Sequence, residues 1–127
     1  MKQTQKHSAE LHAEIKEWIS QLEFYKAEIK FFQKQLEEIV TKYTSQDVLM
    51  EVEHFQNQFI RQIEVTDELR HDIKQEENEL LKLAQQNPAS DHVLIDDHVE
   101  LREKANEYVI IITDLKEEFR RFLEKYM

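Results

Sequence analysis

At 127 residues, with 40% hydrophobic and 35% charged side chains and a net charge of −10, the chain has the length of one domain and the composition of a helical bundle or coiled coil. Glycine is absent and the only proline is Pro88, so the positive-φ turns on which a β-rich fold depends are missing. The absence of cysteine excludes disulfides, thiol catalysis and Cys-based zinc sites, the acidic balance disfavours nucleic acid, and no stretch approaches the ~20 apolar residues of a membrane span.

A cytoplasmic setting is the expectation from the missing cysteines and from an amino terminus with no apolar signal core. Charge is uneven along the chain. Residues 1–44 hold seven Lys and seven Glu, residues 45–87 four basic and ten acidic side chains, and residues 88–127 six and ten.

The first predicted helix carries the clearest pattern. Leu11, Ile15, Trp18, Leu22, Tyr25, Ile29, Phe32, Leu36, Ile39 and Tyr43 alternate steps of four and three. This is a 3.5-residue repeat, the seam of a left-handed coiled coil or bundle. The seam resumes at Val48 and runs through Val52, Phe55, Phe59, Gln62, Thr66, Leu69, Ile73, Glu76, Leu80 and Leu83. The step from Tyr43 to Val48 slips the register, and it coincides with Thr44-Ser45-Gln46-Asp47, in which Thr44 or Ser45 is placed to cap a new helix. A turn is predicted here; one helix continuous through residue 86 is the alternative. The segment Gln86-Asn87-Pro88-Ala89-Ser90-Asp91 predicts a second turn. Beyond it Leu94, His98, Leu101, Ala105, Tyr108, Ile112, Leu115, Phe119, Phe122 and Tyr126 form the third seam.

The fold expected is all-α: three long antiparallel helices, about 7–44, 46–86 and 91–126, in one up-down-up bundle spanning residues 1–127 with coiled-coil-like packing. Taking residues 45 and 88 as turning points places residue n of the second helix level with roughly residue 90−n of the first and 176−n of the third. The segment Leu11-His12-Ala13-Glu14-Ile15-Lys16-Glu17-Trp18-Ile19, with its Trp on an inner helix face, resembles the first helix of spectrin-type repeats. The resemblance covers that segment and the three-helix plan, and it implies a fold and no activity.

Two groups of residues depart from the seams. The first is polar: Gln62, Thr66 and Glu76 on the second helix and His98 on the third. Layer matching brings Glu76 and His98 together near the Pro88 turn, with His12 or Glu14 beside them. As a functional centre this would be a metal- or pH-responsive layer, with Glu76, His98 and His12 as metal candidates. As structure it is a satisfied Glu–His pair that fixes helix register. The structural reading is preferred, and no metal or cofactor is assigned.

The second group is apolar: Phe24, Phe31, Ile60, Ile110 and Ile111 lie off the seams near mid-rod. Such patches mark partner surfaces. Glu51–His54 and Glu68–His71 repeat Glu-x-x-His, but both lie on one helix and off the seam, which removes a di-iron reading. No nucleophile–base arrangement and no phosphate cradle can be built from these residues. The function expected is a non-enzymatic interaction or scaffold module that self-associates, as a homodimer, or docks a helical protein through its mid-rod apolar belt.

Overall fold

The computed structural model describes the backbone of residues 2–86 and 91–127, and the side chains of residues 9–83, 85–86 and 98–127. The described residues form three helices: α1 (Lys2–Lys42), α2 (Gln46–Gln86) and α3 (Asp91–Tyr126). No strand occurs among the described residues. The fold is the expected all-α three-helix bundle. The first helix begins five residues earlier and ends two earlier than the apolar pattern suggested. The predicted Pro88 turn and the seam residue Leu94 fall outside the described residues.

The connection near Ser45 is real, and the continuous-helix alternative is overturned. Residues 43–45 are non-helical, and the Leu49 amide donates to the Ser45 carbonyl at 3.0 Å. Accepting that first intrahelical bond makes Ser45 the N-cap residue of α2. No described residue has positive φ, so the chain reverses here without the left-handed C-cap that usually calls for glycine. Asp47 in the first turn of α2 and Lys125 in the last turn of α3 suit the helix dipoles.

Ion pairs set the register. Lys26 donates to Asp67 at 2.7 Å and Arg70 to Glu23 at 3.2 Å, so α1 and α2 are antiparallel with paired residue numbers that add to 93. Arg102 donates to Glu14 and Lys116 to Glu28, both at 2.8 Å and both across 88 residues of sequence; α1 and α3 are therefore parallel neighbours. Between α2 and α3 the pairs Glu76–His98 and Thr66–Tyr108 both add to 174. The layer arithmetic was right to within three residues.

Every described seam residue is buried or half-buried. Phe59, Phe119, Ile15, Ile29, Leu36, Ile39, Ile73 and Ile112 are fully enclosed. Toward the Ser45 end the core is aromatic: Phe119 lies 5.1 Å from Phe32, 5.2 Å from Phe55 and 5.0 Å from Phe59, centroid to centroid. Tilted and edge-on pairs of this kind add about 0.5–1.5 kcal/mol each beyond area burial. The end of the rod is closed by Tyr43, whose hydroxyl donates to the Tyr126 carbonyl at 2.8 Å.

Mid-bundle, Thr66 donates to the Gln62 carbonyl at 2.6 Å, which leaves its oxygen free to accept from the Tyr108 hydroxyl. That bond satisfies two buried polar groups that would otherwise destabilise the core. The same burial pushes the Tyr108 pKa up from 10.0, against the lowering effect of Thr66.

Candidate functional site

Near the opposite end of the rod one polar layer draws a residue from each helix. His98 sits on the α3 seam and is 2% exposed. Its Nδ1 lies 2.9 Å from Glu76 Oε2 on α2, and its Nε2 lies 2.5 Å from Glu14 Oε1 on α1. An ionised carboxylate only accepts, so with both carboxylates ionised each ring nitrogen must donate, which only the imidazolium can do. Arg102, one turn along α3, grips Glu14 with Nε to Oε2 and a terminal nitrogen to Oε1, both at 2.8 Å. Two cations thus face two anions, and the layer is neutral as a unit.

The electrostatics follow from this geometry. Burial alone would lower the His98 pKa, but the bonds to Glu76 and Glu14 outweigh it and raise the group above 6.5. The Arg102 bond, against desolvation and with help from His98, holds Glu14 below 4.5. Trp18 stacks on the His98 ring with centroids 4.8 Å apart. Glu76, 5% exposed, keeps its second oxygen Oε1 buried with no protein partner.

The predicted Glu76–His98 contact is therefore present, and Glu14 is its third member. His12 is not: its Nδ1 stands 4.0 Å from Glu77 on the α1–α2 flank. The reason is local. Glu14 precedes the seam residue Ile15 and faces α3, whereas His12 follows Leu11 and faces α2. A metal ion ~2.1 Å from both a ring nitrogen and a carboxylate oxygen would hold those two atoms more than 3 Å apart, and here they stand at 2.5 and 2.9 Å. Among the described residues no group of three His, Asp or Glu side chains is arranged to hold a metal. Sequence reading missed Arg102 and the Trp18 stack.

The apolar candidates are all on the surface. Phe24 is 59% exposed, Phe31 58%, Ile60 53%, Ile110 61% and Ile111 49%. They do not share one face. Phe31 lines the α1–α3 groove with Phe32, Thr113, Lys116 and Leu123, and Phe24 lies one heptad from it on the same side. Ile111 lines the α2–α3 groove with Val65 and Tyr108. Ile60 is one heptad from Asp67, which pairs with Lys26, and so lies on the α1 side of α2. Ile110 points outward on α3 at the height of Leu22. By contrast Ile63 and Val109, which flank the seams, are half-buried. The belt encircles the rod, and only α1 contributes two large aromatics to a single strip.

His54 and His71, of the Glu-x-x-His pairs, are exposed on α2. No described helix is long and apolar enough to cross a membrane. No protein-family profile, curated protein or solved structure matches the chain.

Proposed function

We propose that this chain is a non-enzymatic interaction module, a stiff helical rod that docks another protein or a second copy of itself through its mid-rod apolar surface. The observation that carries this reading is the exposure of Phe24 and Phe31, seven residues apart on α1. Phe24 leans on Tyr25 and Phe31 on Phe32, but more than half of each side chain faces outward, and aromatics at that spacing form a strip one helix can cover. The polar layer supports a rigid scaffold: it ties three helices in one register.

A photo-crosslinking phenylalanine analogue at Phe24, introduced in the cell that makes the protein, tests the reading. A crosslinked product, whether with a second copy or with a different protein, is the expected result. Only uncrosslinked monomer, from Phe24 and Phe31 alike, would remove the proposal.

The second reading is a pH-responsive bundle centred on His98. It is favoured by one observation, the clamping of both ring nitrogens by carboxylates, because such a clamp holds only the protonated ring. Its test is the pH dependence of stability set out below.

A further inference from the structure

We infer that the occupant of the α1 surface is a second copy of this chain, packed α1 against α1 in antiparallel orientation. The inference rests on the interaction reading above and goes beyond it by naming the partner and the geometry.

The argument begins with charge. Residues 45–87 carry six more acidic than basic side chains and residues 88–127 four more, whereas residues 1–44 balance seven Lys against seven Glu. Faces built from α2 and α3 repel their own kind. Of the three helices, α1 is the one on which two copies meet with least repulsion.

The pattern on that face supplies the orientation. Glu17, Phe24, Phe31 and Glu38 recur every seven residues and are all exposed, so they form one outward column on α1. Read from either end the column is the same: acid, Phe, Phe, acid. A two-fold contact requires a surface complementary to itself after rotation, and turning α1 end for end lays Phe24 of one copy on Phe31 of the other. Exposed Ala27 lies beside the two-fold axis and lets the backbones approach closely. At each end of the contact Glu17 of one copy meets Glu38 of the other, and Lys34, one turn before Glu38, lies beside them and offsets part of their repulsion. A parallel pairing has no such palindrome to satisfy.

The chain has no cysteine, so introduced cysteines report on this geometry cleanly. In the full chain, Ala27→Cys is expected to form a disulfide dimer with itself, Ser20→Cys to stay monomeric under the same oxidation, and a mixture of Ser20→Cys with Lys34→Cys to crosslink. Sedimentation of the cysteine-free chain is expected to show dimer, weakened at least about tenfold by Phe24→Glu or Phe31→Glu, with helicity unchanged because both positions are exposed. Crosslinking of both Ala27→Cys and Ser20→Cys with themselves would show a parallel pair and overturn the antiparallel geometry. A chain that stays monomeric at high concentration overturns the second-copy inference. If that monomer still photo-crosslinks a different protein through Phe24, the interaction reading stands without this inference; if it crosslinks nothing, both fall.

Discussion

The Trp18 indole lies over the His98 imidazole with centroids 4.8 Å apart and planes inclined by 26°. A cation against an indole face is stabilised by about 0.5–2 kcal/mol, more as water is excluded, so Trp18 favours the same protonated ring that the two carboxylates require. Trp18→Leu is expected to lower the His98 pKa, read from the imidazole proton shifts in an NMR titration. An unchanged midpoint would mean that the ring stack is packing alone.

The pH dependence of stability has a definite sign. His98 titrates above 6.5 in the folded chain, so its contribution is complete below 6.5 and is lost as pH rises through the folded value. Glu14 titrates below 4.5, so its contribution is complete above 4.5 and is lost as pH falls. Both are present between those limits, and the urea midpoint is expected to peak there. Replacing His98 with Gln should flatten the decline on the alkaline side. A variant that declines as steeply as the wild type would assign that limb to other groups.

Removing one partner of the layer is expected to cost far more than removing the pair. His98→Leu leaves Glu76 buried with neither oxygen bonded, and breaking a buried pair in this way typically costs about 3–5 kcal/mol. The double change Glu76→Leu with His98→Leu exchanges the ions for apolar volume and should recover most of that loss, with Glu14 still held by Arg102. Denaturant unfolding of the two variants decides the matter. If the double variant were the less stable one, the pair would be a net source of stability and not chiefly a device that fixes register.

The mid-bundle hydroxyl pair makes a smaller version of the same test. Thr66→Val removes the acceptor for Tyr108 and strands a buried phenol, at about 1–3 kcal/mol. Adding Tyr108→Phe removes the orphan and should restore part of the stability. Additive losses in a double-mutant cycle would show that the two hydroxyls do not depend on each other.

Height along the rod was legible in the sequence; the side of each helix was not. Ten α1 residues at alternating steps of four and three identify the buried stripe, because a 3.5-residue period has one physical solution. The same counting put Glu76 level with His98 and with residues near 14. It could not choose between His12 and Glu14, since they flank the stripe on opposite sides. Which flank meets α2 and which meets α3 depends on whether the bundle turns left or right, and periodicity carries no such hand. The same blindness gathered Ile60, Ile110 and Ile111 into one belt with the two Phe residues. Arg102 escaped notice because a lone Arg beside a seam Leu looks like ordinary surface until Glu14 is placed opposite it. At the Ser45 turn the five-residue step between Tyr43 and Val48 was the signal that mattered.

The ties between α1 and α3 span 83 to 88 residues of sequence at three heights, through Tyr43–Tyr126, Glu28–Lys116 and Glu14–Arg102. Those between α1 and α2 close a far shorter loop at Lys26–Asp67, 41 residues apart. Closing the longer loop costs more chain entropy before any contact repays it. The ties between α2 and α3 are as local, at 22 residues for Glu76–His98 and 42 for Thr66–Tyr108, so either hairpin is expected to assemble before α1 and α3 meet. The consequence is kinetic: the ties between α1 and α3 belong to the closing step, so breaking one, as in Arg102→Leu, should hasten unfolding while leaving refolding nearly unchanged. Stopped-flow chevrons would expose the opposite order as a slowed refolding arm. The seam between α1 and α3 would then act as the clasp that governs how long a folded molecule stays folded.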